Sequence, residues 1–180
     1  VASLGSGSAG NSLYVEAGDT RILVDAGFSG AQLERRLDEL GVGPHEIRAV
    51  VVTHEHRDHT SGVGIAARRW GWPLHMSGDT LDACRDLLRG EETVTTFRAG
   101  EPFELADLEI HPFLTCHDAA DPLAVSLTDR RRGLKLGVAT DLGRPTAPVR
   151  HALAGCHFLV LEANHDEVLL RDGPYPWSIK

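Results

Sequence analysis

The run Ile47–Thr53 is almost continuously apolar, and His54-Glu55-His56-Arg57-Asp58-His59 follows it without a spacer. Such a run fits a strand buried on both faces, which requires covering layers above and below it. His54 and His56 stand two apart, so an extended chain projects them to one side. Asp58 and His59 follow where the chain turns toward a helix-like pattern at 60–71. His and Asp are ordinary ligands of Zn²⁺ and similar borderline ions. A loop this tight strains if three of its side chains serve one tetrahedral ion, whereas two ions can share it more comfortably.

The remaining pattern predicts strands mixed with helices. "SLYVE" (12–16) and "TRILVD" (20–25) flank a turn and read as a hairpin. "GAQLERRLDELG" (30–41) carries Leu33, Leu37 and Leu40 at helical spacing. A helix at 60–71, a strand "PLHMS" and a helix at 80–90 complete the first half. The second half reads as strands "TVTTF", "FELADLEIHPFLT", "LAVSLTD" and "LKLGVAT", a helix near 146–154, then "FLVLEAN". "TDRRRG" (128–133) reads as a hairpin tip. Hairpins together with crossovers imply two sheets covered by helices, an α/β layered sandwich.

A length of 180 residues implies a single domain, 1–180, with a sizeable core. Eighteen Lys and Arg against 26 Asp and Glu leave a formal charge of −8, so a polyanionic substrate needs local help from bound metal or clustered arginines. Arg57 and the Arg130–Arg132 run are the candidates for such help. Cys84, Cys116 and Cys156 are odd in number and widely spaced, which predicts no disulfide framework, three small buried hydrophobes and a reducing cytoplasm. No apolar run approaches the roughly 20 residues that span a bilayer, so no membrane partner is expected. The chain opens on Val1 inside a strand-like "VASL", which is read as the loss of a short N-terminal piece.

Three further side chains lie just past apolar runs, as His54 does: Asp25 in "RILVDAG", His117 in "FLTCHDAAD" and Asp141 in "LGVATDLG". Strand ends emerging on one side of a fold form its natural site. A carboxylate such as Asp141 can bridge two cations about 3.5–4 Å apart. Asp25 reads as a residue that holds the free nitrogen of a ligand histidine. His165, after "FLVL", is a further near-site candidate, while His45, His75, His111, His151 and His157 read as structural or solvated. "GSGSAGNS" (5–12) lacks the GK[ST] end of a phosphate-binding loop, and reads as a connector or a backbone that closely approaches the site.

In this order, "LVDAG", His-x-His-x-Asp-His, a lone downstream His117 and "TDLG" (140–143) resemble the metallo-β-lactamase superfamily, whose fold is a four-layer αββα sandwich. "LGSGSAGNS" and the closing "LEANHDEVLLRDGPYPWSIK" resemble its WalJ (YycJ) branch. The resemblance implies His54, His56 and His117 as ligands of one metal, Asp58 and His59 as ligands of a second, and Asp141 as the bridge. It also implies a further histidine in a glycine-histidine segment beyond Lys180, so a short C-terminal segment is expected to be missing. The branch implies a metal-dependent phosphodiesterase, a 5′→3′ DNA exonuclease using Zn²⁺ or Mn²⁺ and a metal-bridging hydroxide. Asp58 would orient that hydroxide, Asn11 would lie beside the site, and Arg57, Ser6 and Ser8 would contact phosphate. The same site also suits a thioester, lactone or β-lactam hydrolase. The other alternative is a non-catalytic, metal-stabilised binding protein.

Overall fold

Strands with apolar side chains on both faces must be covered twice, and the chain solves this with two stacked sheets. The computed structural model describes residues 1–162 and 167–174. The first sheet has the order β1 (Ala2–Gly5), β2 (Ser12–Ala17), β3 (Thr20–Val24), β4 (Ala49–Val51), β5 (Leu74–Ser77) and β6 (Val94–Phe97). β1, β2 and β3 are antiparallel neighbours, and β3 through β6 run parallel. The second sheet has the order β11 (Phe158–Leu161), β10 (Lys135–Ala139), β9 (Leu123–Asp129), β8 (Leu108–Leu114) and β7 (Phe103–Leu105).

Three apolar clusters define four layers. Leu23, Val50, Val52, Leu74 and Met76 pack outward from the first sheet against Leu33 and Leu37 of α1 (Gly30–Asp38) and Val63 and Ala66 of α3 (Val63–Trp70). Ile22, Val24, Val51, Ile110, Val125 and Val138 fill the space between the sheets. Phe113, Ala124 and Ala139 face Val149 and Ala152 of α5 (Ala147–Leu153) outside the second sheet. The order helix, sheet, sheet, helix is the expected αββα sandwich. Among the described residues, no helix is long and apolar enough to cross a membrane.

Several element boundaries differ from the sequence expectation. α1 opens on a Ser29–Gln32 capping box and stops at Asp38, so Leu40 is exposed rather than part of the apolar stripe. The chain reverses through Gly41 at φ 72°, and Val42 takes the buried position instead. The single helix expected at 60–71 is two, α2 (Arg57–Thr60) and α3, because the chain bends where Gly62 meets the Ala26 carbonyl. The helix expected at 80–90 begins earlier, as α4 (Gly78–Ala83) capped by Ser77, and gives way to a 3₁₀ turn at Arg85–Leu87. "FELADLEIHPFLT" is not one strand but the β7–β8 hairpin, turning at Ala106 with φ 51°. Cys84 is buried as expected, whereas Cys116 and Cys156 are only half-buried.

Candidate metal centre

Parallel strands deliver their C-terminal ends to one edge of a sheet. β3 ends at Val24 and hands over to Asp25; β4 ends at Val51 and hands over to Thr53–His59. In the second sheet β8 and β10 are each antiparallel to β9, so they point the same way. β8 leads to His117, β10 to Asp141, and β11, parallel to β10, to Glu162. This topology brings loops far apart in sequence to one place.

Two sets of donor atoms result. The nitrogens of His54, His56 and His117 lie within 4.8 Å of one another, and so do the donors of His54, His59 and Asp141. His54 is shared. Its ring is 2% exposed, yet Nε2 has no hydrogen-bond partner among the described residues. A buried, unpartnered imidazole nitrogen is costly unless an ion takes it. Tetrahedral ligands about 2.0–2.1 Å from Zn²⁺ stand roughly 3.3 Å apart. His56 Nδ1 and His117 Nε2 are 3.1 Å apart, so the residues fit such an ion.

The opposite ring nitrogens of His54, His56 and His59 meet acceptors, and that of His117 lies beside a carboxylate, which orients the rings. His54 Nδ1 donates to Thr53 Oγ1 at 3.0 Å, and that hydroxyl donates to Asp25 Oδ2 at 2.8 Å. His56 Nε2 donates to the Asp118 carbonyl at 3.1 Å, and His117 Nδ1 lies 3.2 Å from Asp118 Oδ1. His59 Nδ1 meets Asp25 Oδ2 at 2.8 Å. Asp25 also accepts the Thr53 amide at 2.8 Å, so one buried carboxylate steadies two histidines. It reaches both because its backbone is left-handed, φ 62°; Asp141 is left-handed too, φ 52°. Aspartate tolerates that region better than most residues, at a cost of about 1–3 kcal/mol where it is strained.

Asp58 stands beside the second donor set rather than within it. Its Oδ2 is 3.5 Å from His59 Nε2 and accepts from Asn11 Nδ2 at 2.9 Å. Asn11 is itself fixed by the Gly7 amide, which donates to its Oδ1 at 2.9 Å. Ser6, Gly7 and Ser8 line a groove of about 210 Å³ together with Asn11, Asp58, Asp141 and Glu162. Arg57 lies outside that lining, 84% exposed at its side chain and 3.9 Å from Asp86. His165 lies outside the described residues.

The Arg130–Arg132 patch does not reach the site. It follows Asp129 at the other end of β9, a seven-residue strand that spans roughly 20 Å. Each guanidinium already faces a carboxylate: Arg130 Glu104, Arg131 Asp107 and Arg132 Asp129. The sequence reading missed Asp118 and Glu162. Glu162 Oε2 accepts the Leu142 amide at 2.6 Å and so braces the turn that carries Asp141. It was legible in principle, as a carboxylate directly behind the apolar run "FLVL".

Electrostatics separates the two buried histidines. Burial and the neighbouring His59 push His54 down to about 4, keeping it neutral. Burial also opposes charge on His59, but Asp25 and Asp141 outweigh it and raise the group to about 10. Asp141 is drawn down to about 2, because His59 overcomes the burial that would raise it. In the metal-free protein His59 therefore binds a proton more tightly when folded than when unfolded. Its stabilisation is complete below the ordinary pKa of 6.5 and is lost as pH rises through about 10. Urea unfolding of chelated protein should show the midpoint falling between pH 7 and 10, and Asp25→Asn should flatten that decline. Metal binding near pH 7 should release the His59 proton, read by calorimetry in buffers of different ionisation enthalpy.

The comparisons with known proteins agree with this geometry. The sequence model of the metallo-β-lactamase superfamily matches residues 5–169. The chain is 36% identical over 179 residues to a Bacillus anthracis protein named exodeoxyribonuclease YycJ, covering 98% of this chain and 67% of that one. It is 33% identical to exodeoxyribonuclease WalJ of Streptococcus pneumoniae, covering 98% of this chain and 66% of that one. The chain thus spans about two thirds of the length of these relatives. Among solved structures, Zn²⁺-bound PqqB from Methylobacterium extorquens superposes with a TM-score of 0.73 at 17% identity, over 92% of this chain and 64% of that one. A metallo-β-lactamase variant from Cronobacter sakazakii gives 0.69 at 17% identity, over 88% and 75%. Fold, donor geometry and the span of the sequence match converge: this chain belongs to the metallo-β-lactamase superfamily.

Proposed function

We propose that residues 1–180 form a binuclear metal-dependent phosphodiesterase domain that degrades DNA from its ends, in the 5′→3′ direction. The observation that carries the reading is the pair of donor sets sharing His54, joined to 36% identity with an exodeoxyribonuclease over 98% of the chain. In this reading His54, His56 and His117 would hold one ion, Asp58 and His59 would serve the second, and Asp141 would be the carboxylate common to both. Zn²⁺ or Mn²⁺ suits the mixed nitrogen and oxygen donors. When bound, the cations supply Lewis acidity, lowering the pKa of a coordinated water and neutralising phosphoryl charge.

The chain's own residues do the rest. Asp58 Oδ2, steadied by the Asn11 amide at 2.9 Å, would orient the attacking water. Asp25 and Asp118 hold the histidine rings against rotation. Ser6 and Ser8, in the groove lining, would donate to phosphate oxygens, and exposed Arg57 would meet the backbone further out. The groove lining is acidic, with Asp58, Asp141 and Glu162 and, among the described residues, no lysine or arginine. A polyanion enters such a groove only when cations reverse its charge. Three free cysteines suit a reducing cytoplasm.

DNA labelled at either end, single- and double-stranded, tests the proposal. Nucleotides should be released from the 5′ end with Mn²⁺ or Zn²⁺ and not with chelator. Absence of cleavage under every divalent metal would refute it, and turnover of thioesters or lactones instead would reassign the site to acyl transfer.

A further inference from the structure

Glu55 sits between two candidate ligands, yet it belongs to neither donor set. Oε1 accepts the backbone amide of Ala120 at 2.8 Å, across 65 residues of sequence and from one sheet to the other. Oε2 is buried and meets no hydrogen-bond partner among the described residues. The backbone beneath it is rigid: Thr60 Oγ1, fully buried, lies 3.0 Å from the Glu55 carbonyl and 2.9 Å from that of His56.

The segment receiving this contact is the one that needs it. Residues 116–121 have no regular secondary structure, and they carry both His117 and Asp118. The base of the loop is closed by the Thr115 amide on the Pro122 carbonyl at 2.9 Å. Its tip is tied to the first sheet by two adjacent residues, His56 to the Asp118 carbonyl at 3.1 Å and Glu55 to the Ala120 amide. The histidine contact forms only if the Asp118 carbonyl is already in place, and the glutamate supplies that placement two residues further on. We infer that Glu55 is a positioning residue: its Oε1, by accepting the Ala120 amide, latches the His117–Asp118 loop so that His56 and His117 present their nitrogens to one ion. This rests on the metal-centre reading above.

Two variants separate acceptor chemistry from shape. Glu55→Met keeps length and volume without an acceptor, and Glu55→Gln keeps a carbonyl oxygen that can reach Ala120. In the metal-free protein the Ala120 amide should exchange slowly in wild type and in E55Q, and about tenfold faster in E55M. Spectroscopic titration with Co²⁺ should show E55M binding about 10–100-fold more weakly, with E55Q restoring the affinity. An unprotected Ala120 amide in the wild-type protein overturns the latch without reference to any variant, as does E55M binding Co²⁺ as tightly as wild type. Failure of the wild type itself to bind Co²⁺ would count against the proposed function, while the amide exchange would still report on the latch.

Discussion

Asp141→Asn should leave a folded protein whose nuclease activity has fallen by about 10³-fold or more. Asp141 belongs to the second donor set and also approaches the first, with Oδ2 3.0 Å from His59 Nε2 and Oδ1 3.9 Å from His117 Nε2. In the proposed mechanism, several kcal/mol of charge stabilisation would depend on Asp141 holding the cations in place, and each 1.36 kcal/mol is a factor of about ten in rate. Asparagine keeps the shape and tolerates the left-handed backbone at φ 52°, so the turn itself should survive. Loss of the ion pair to a buried His59 should cost less than about 3 kcal/mol of stability. Metal content, circular dichroism and end-labelled DNA cleavage, measured on one preparation, check all three parts. A variant that keeps its activity would remove Asp141 from the mechanism; one that unfolds would make it a structural residue.

Gly27→Ala should have the largest effect on stability, about 3 kcal/mol or more. A Cβ at Gly27 would overlap the carbonyl of Asp58, with the Asn11 amide close behind. That carbonyl accepts the Asn11 amide at 2.6 Å, while Gly27 donates to the Asn11 carbonyl at 2.9 Å and Ala26 to that of His59 at 2.9 Å. Three loops are stitched together here with no room for a methyl group. The three nearest atoms are all backbone, so no rotamer change relieves the overlap. The strain would be relieved by moving the Asp58–His59 turn, and metal affinity should fall together with the urea midpoint. Gly78→Ala is the matched control: its Cβ meets nothing within 4 Å, and φ is not in the left-handed region. That change, in the first turn of α4, should be neutral or stabilise by about 0.5–1 kcal/mol. Equal effects from the two substitutions would show that close approach at Gly27 does not matter.

The two substitutions also divide what was readable from what was not. Asp141 is visible in the sequence as a carboxylate directly behind an apolar strand, and so are Asp25, His54 and His117. Strand periodicity and the chemistry of donor atoms are local properties, and they are enough to name the ligand candidates and the layered α/β class. The need for glycine at position 27 is not visible in "LVDAG", because the carbonyl it must clear belongs to Asp58, thirty-one positions away by number. Asp118 and Glu55 escaped for the same reason. An aspartate beside an expected ligand and a glutamate inside a metal motif look like solvated charges until the second sheet folds over the first.

The sequence by itself determined which side chains can bind metal and that strands must deliver them, since residue type and two- or three-to-four-residue periodicity travel with the chain. Only the tertiary structure decided which nitrogen of each histidine faces the donor cluster, which acceptor meets the other nitrogen, and that the Arg130–Arg132 run belongs to the far end of β9. Those outcomes depend on strand direction and sheet stacking, which set the distance between residues that the sequence leaves dozens of positions apart.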